Sequence, residues 1–249
     1  MLRFWLTGML AIFLLGLGVS VWRSAQPDAL NARLLRVSEE TISLENEPGR
    51  FELSAAAEVR LKTGTTDTLT LSGNEDVLEA LEITQTPEGV TVAEDPNVLE
   101  RVSWTREELV ITVETKEPPS HLLFLKDTLV EGENLQNQKL TVESRGRLDG
   151  YLNQVAVETL EIALVGEGDL EVTGEGDAAK LRITGPASLE TAQFSVNTVQ
   201  AQVSGPGVIR VNPQESLQAQ VQGTGGIFYT RKPAKIMTSV QGNGKIGLD

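Results

Sequence analysis

IALVGEGDLE (162–171), LRITGPASLE (181–190), AQVSGPGVIR (201–210), AQVQGTGGIF (219–228) and TSVQGNGKIG (238–247) align on a shared glycine, at 166, 185, 205, 223 and 242. The intervals are 19, 20, 18 and 19 residues. Two residues before each glycine stand Leu164, Ile183, Val203, Val221 and Val240; four after it stand Leu170, Leu189, Ile209, Ile227 and Ile246. The columns six before (Leu160, Ala179, Val199, Leu217, Ile236) and six after (Val172, Thr191, Val211, Tyr229, Leu248) are mostly apolar too, while odd positions are mostly polar. Alternation with a period of two marks a half-buried β-strand, since a helix would repeat its apolar stripe every three or four residues.

The aligned glycines share the parity of the buried positions, as do Gly168, Ala187, Gly207, Gly225 and Gly244 two residues later. Two small columns where inward side chains are expected predict a tight corner. Gly166, Gly185, Gly205, Gly223 and Gly242, with Gly168, Gly207, Gly225 and Gly244, are the expected turn residues. Glycine accepts a positive φ there and leaves room for close approach. A repeat of about 19 residues is the length of one β-solenoid coil, with coils stacking about 4.8 Å apart. The fold class is therefore all-β, a β-solenoid-like (parallel β-helix) repeat; a row of antiparallel hairpins is the alternative. Stacking would place Gln200 beside Gln218, Gln202 beside Gln220 and Gln222 beside Gln241, with amide hydrogen bonds along the stack. A weaker copy is expected at 138–150, where Leu140, Val142 and Leu148 keep the parity and Ser144 takes the place of the glycine.

Upstream, strands are expected at 34–44, 51–62, 68–72, 81–86, 89–93 and 109–115, with turns at Glu47-Pro48-Gly49, Lys62-Thr63-Gly64 and Pro87-Glu88-Gly89 and a short helical turn within 75–83. The organisation read from this is a region 1–25, a β region 34–130 and a repeat region 138–249, the latter two continuing one sheet across the proline pair near 118–119. Residues 4–22 (FWLTGMLAIFLLGLGVSVW) form an uncharged apolar run after Arg3, the mark of a signal peptide or a signal anchor. The protein is thus expected to be exported, to the periplasm or the cell surface, and to meet a membrane only through that run.

The chain has 249 residues, 35 acidic against 21 basic side chains, and a formal charge of −14. Such a field repels phosphate backbones, so nucleic acid is not an expected partner. With no cysteine there is no disulfide, thiolate metal site or cysteine nucleophile, and a single His121 beside Pro118, Pro119 and Ser120 supports no histidine triad or His-rich site.

The alternating strand, G-x-G or GEGD, second strand pattern of LEIALVGEGDLEVTGEGD (160–177), AQVSGPGVIRV (201–211), AQVQGTGGIFY (219–229) and TSVQGNGKIGL (238–248) resembles the putative auto-transporter adhesin, head GIN domain family of bacterial envelope proteins. The stretch 56–92 is similar to the first half of that family, so the resemblance runs over roughly 50–249. It departs from the family's repeated S-G-S-G-D: aspartate stands only at Asp169 and, in a second GEGD, at Asp177. The resemblance implies a β-solenoid-like fold and brings no catalytic residues with it.

The GEGD pairs at 166–169 and 174–177 look like calcium-binding repeats, but a hard cation needs its oxygens to recur coil after coil. The positions equivalent to Asp169 are Ser188, Val208, Gly226 and Lys245, so no metal or other cofactor is expected. Asp169, Glu171 and Glu190 are the carboxylates that adjacent coils would bring together if the chain were a polysaccharide-active enzyme. Phe228 is the one clear outward aromatic of the repeats. The expected function is non-enzymatic surface contact with a protein or glycan partner; membrane-anchored sensing or scaffolding is the alternative. The edge of the last coil would also allow a homo-oligomer.

Overall fold

The computed structural model describes residues 37–45, 48–95 and 104–249, so the apolar run 4–22 lies outside the described residues. The strands are β1 (Val37–Ser43), β2 (Arg50–Ser54), β3 (Ala57–Thr63), β4 (Thr68–Asn74), β5 (Leu81–Thr86), β6 (Gly89–Glu94), β7 (Leu109–Thr115), β8 (His121–Phe124) and β9 (Thr128–Glu133). They continue as β10 (Gln136–Ser144), β11 (Leu148–Val165), β12 (Asp169–Thr184), β13 (Ser188–Ser204), β14 (Val208–Gly223), β15 (Gly226–Tyr229), β16 (Lys235–Gly242) and β17 (Lys245–Leu248). A single helical turn, α1 (Glu75–Leu78), joins β4 to β5, and a 3-10 turn (Arg106–Glu108) leads into β7. Among the described residues no helix is long and apolar enough to cross a membrane.

All strands belong to one 17-stranded sheet. From β10 to β17 every strand pairs in parallel with its equivalent in the next coil, which settles the choice between solenoid and hairpins. The aliphatic column before the glycine is one continuous register, Leu164, Ile183, Val203, Val221 and Val240. The column after it is likewise Leu170, Leu189, Ile209, Ile227 and Ile246. Each long strand bends where its register shifts, for instance between Glu171 and Gly174. One coil therefore presents face A, before the corner glycine, and face B, after it.

The two glycine columns do different work. Gly205, like its equivalents in the first column, has a positive φ (+108°), which an L side chain adopts only with strain. Gly207 is buried and has no positive φ; a Cβ there would lie 2.5 Å from Ile183 Cγ2 and 2.7 Å from the Gly185 carbonyl oxygen. Its equivalents Gly225 and Gly244 meet Val203 and Val221 in the same way. The first column turns the chain; in the second, Gly207, Gly225 and Gly244 admit the aliphatic side chain of the coil before, whereas Gly168 has a positive φ (+121°) and lies against the Leu148 backbone.

The sequence register at 138–150 needs correction by two residues. Ser144 pairs with Phe124 and Leu164, within the aliphatic column, and Gly146 holds the corner. A small Ser follows the large Phe124, whose ring meets Phe51 edge-on at 6.4 Å. The cost is that Ser144 Oγ is enclosed without a hydrogen-bond partner.

The upstream part builds further coils of the same stack. Both β2–β3 and β8–β9 are rungs of faces A and B, and the run expected as one strand at 51–62 breaks at the corner, Ala55–Ala56. Space and sequence differ here: β2 and β3 lie between β8 and β9 on one side and β6 and β7 on the other. Beyond β6 and β7 the pairing turns antiparallel, with β5 on β6, β4 on β7 and β1 on β4. Buried Val77 of α1 and Ala80 close the core at this end. Asn74 caps α1 by accepting from the Asp76 amide at 3.0 Å.

An ion-pair cluster ties the 3-10 turn to face B. Arg106 reaches Asp149 at 2.6 Å and Asp127 at 3.1 Å, and Arg147 reaches Asp149 at 2.7 Å. Asp149 also accepts from the Asp169 amide at 3.0 Å. Burial pushes the Asp149 carboxyl up, but hydrogen bonds from Arg147, Arg106 and that amide outweigh it, leaving it below its ordinary value of 3.8.

Three outcomes are expected in unfolding experiments. Gly207→Val forces an overpacked corner and lowers stability by about 3 kcal/mol, whereas Ser144→Ala removes the orphaned hydroxyl and raises it by about 1 kcal/mol. Because the folded chain holds Asp149 below its unfolded value, this group stabilises the fold above that unfolded value, and the contribution fades as pH falls through the folded one. Asp149→Asn is therefore less stable than the parent at neutral pH and loses less on acidification below 3.8; denaturant midpoints across pH measure both.

Candidate contact face

Face A alternates inward aliphatic residues with outward polar ones, and parallel stacking turns each outward position into a row. One row runs Glu161, Lys180, Gln200, Gln218; the next runs Ala163, Arg182, Gln202, Gln220. Gln222 stands beside Gln241 in a third. All three glutamine pairs expected from the repeat are therefore registered neighbours. The amides do not, however, bond along the stack: among the described residues the side chains of Gln200, Gln202, Gln218 and Gln220 make no hydrogen bond with the protein. Backbone pairing already holds the coils in register, so these donors and acceptors stay available outside.

Towards the other end the same face is charged. Glu161 is clamped by Lys139 at 2.8 Å and Lys180 at 2.9 Å, and those hydrogen bonds hold its carboxyl below the usual range. A shallow groove of about 280 Å³ follows the rows from Thr141 and Glu143, past Lys180 and Arg182, to Gln218 and Gln220. It is polar, elongated and free of aromatic side chains. Such a surface can hydrogen-bond a long hydroxyl- or amide-bearing partner at many points but cannot stack a ring.

The residues weighed for other chemistry lie on face B or at corners. Glu171 and Glu190 are registered neighbours on adjacent coils. Glu190 is engaged by Arg210 at 3.4 Å, and Arg210 also reaches Asp249. Neither carboxylate, nor Asp169, lines the face A groove. Asp169 donates its amide to Asp149, and Asp177 accepts from Asn197 at 3.1 Å. Among the described residues no three acidic or histidine side chains are placed to share a metal ion. Phe228 is half-buried, with the Arg210 guanidinium 5.9 Å from its ring centre, so it is no open platform. His121 begins β8 on face A, its Nε2 3.3 Å from Glu143. Sequence reading missed the Arg106 anchor, because nothing in Thr105-Arg106-Glu107-Glu108 distinguishes it from an ordinary charged turn.

Several solved structures share this architecture. A putative adhesin from Bacteroides fragilis superposes with a TM-score of 0.79 at 20% identity, covering 87% of this chain and 99% of that one. A putative lipid binding protein from Parabacteroides distasonis gives 0.63 at 16% identity, over 86% and 97% of the two chains. A putative adhesin from Parabacteroides merdae gives 0.59 at 15%, over the same shares. At these identities the likeness is one of fold. No curated protein matches the chain. The family model described as putative auto-transporter adhesin, head GIN domain, matches residues 50–233, and with that span matched, the chain belongs to this family.

Proposed function

We propose that this is a non-enzymatic, exported protein of the cell envelope that works by adhesin-like surface contact through face A. The observation that carries the reading is the set of registered glutamine amides whose hydrogen-bonding groups the protein itself leaves unused. Side chains repeating about every 4.8 Å along a rigid stack offer weak, evenly spaced contacts to an extended glycan or a hydroxyl-rich protein surface. Many weak contacts acting together suit adhesion. Family membership and the apolar run 4–22 are consistent with export. Glu190 is engaged by Arg210, and neither it nor Glu171 lines the groove of face A.

The test is binding of the full chain, held in detergent micelles, to a glycan panel and to envelope extracts. Gln200→Ala, Gln202→Ala, Gln218→Ala and Gln220→Ala combined should weaken binding at least tenfold, or about 1.4 kcal/mol and more. Glu171→Gln with Glu190→Gln should leave it unchanged. Binding indifferent to the four glutamines contradicts the reading, as does release of reducing sugar that depends on Glu171 or Glu190.

A further inference from the structure

The two ends of the solenoid differ in charge, and the β16–β17 end gathers three of the five exposed large apolar side chains among the described residues. At one end β16 pairs only with β14 and β17 only with β15 on their inner sides; their outer edges have no partner among the described residues. Val240 belongs to a column that is completely buried in the preceding coils (Ile183, Val203 and Val221 at 0%), yet it is 45% exposed. Met237 and Leu248 on the same coil are 65% and 62% exposed. Among the described residues only two other large apolar side chains are exposed, and one of them, Val37 at 78%, begins β1 at the opposite end.

Charge sorts the same way. Lys232, Lys235 and Lys245 surround the β16–β17 end and no described acidic group pairs with them, the Asp249 carboxylate there being held by Arg210. At the other end the outermost strands are β1 and β5, tied together where Gln85 Nε2 donates to the Ser43 carbonyl at 3.3 Å. This end carries exposed Glu39, Glu40 and Glu82, and no Lys or Arg occurs anywhere between Lys62 and Arg101.

From this we propose that the β16–β17 end docks onto the β1–β5 end of a second copy, head to tail. A free strand edge with exposed apolar side chains favours another strand edge. Opposite charges select which one: an isologous pair of β16–β17 ends would set lysine against lysine, whereas the heterologous contact sets lysine against glutamate. A heterologous contact that does not close produces open chains of molecules, which would array face A of each copy along one line. The inference stands apart from what face A binds.

The chain has no cysteine, so single introduced thiols report contacts cleanly. Full chain in detergent micelles would carry Ser239→Cys on β16, or Thr84→Cys on β5, and be treated with a short bis-maleimide. Both positions are exposed, and circular dichroism checks that each variant folds. Mixing the two single variants should give crosslinked heterodimers, and a chain carrying both should give a ladder of multimers. High salt, or Lys235→Glu with Lys245→Glu, should cut the yield severalfold, and adding Glu39→Lys with Glu40→Lys to the partner should restore it. Homodimers of the Ser239→Cys variant alone, crosslinking indifferent to charge reversal, or no crosslinking in any mixture would each overturn the proposal.

Discussion

The in-register parallel stacking of coils is the constraint from which the rest of the structure follows. Strands about 4.8 Å apart, hydrogen-bonded on both sides, leave little freedom in where a side chain falls. Whatever stands at one position of a coil is laid directly over the same position of the next. The interior must then be filled by residues that stack with themselves, which is why it is built mostly of Leu, Ile, Val and Ala, with Phe51, Phe124 and Phe194 the exceptions in size. It also explains the two kinds of corner glycine. Gly205 is needed for its backbone conformation, while Gly207 is needed because Ile183 of the preceding coil already fills the space its side chain would take.

The same constraint organises the surface. Outward residues become rows, and a row can change character along the stack: the one that holds the ion pair of Glu161 and Lys180 continues as Gln200 and Gln218. Stacked like charges would repel across each rung, and paired neutral amides keep a polar face on closely spaced coils without that repulsion. Because backbone bonds carry the stack, the amides are not consumed in stabilising it. Stability and contact chemistry thus reside in different atoms of the same strands, and side chains on face A can vary without disturbing the interior.

Much of this was legible in the sequence from residue 160 onward, because burial of one face forces strict alternation and the glycine marks where the alternation turns a corner. The glutamine pairs followed from spacing alone; that they do not bond one another did not. The reading failed where the usual sizes are exchanged between columns. At 144–148 a Ser occupies the aliphatic column and Leu148 stands two residues after the corner, where later coils carry glycine or alanine, so the apparent register slid by two. The earliest coils were hidden for a related reason: Ala55 and Lys126 hold the corner without glycine. No local pattern announces that β2 and β3 stack between later strands, since that order depends on the whole excursion through β4, α1 and β7.

The most direct measurement of the central claim is dipolar coupling between spin labels placed on equivalent positions of neighbouring coils, using Gln202→Cys with Gln220→Cys in the cysteine-free chain. The two positions are 18 residues apart in sequence but direct neighbours across parallel strands. Labels there should lie within about 10 Å of each other and give strongly broadened spectra. Spectra no broader than those of the single-label variants would show that the coils do not stack in this register, and the account of both interior and surface would fall with them.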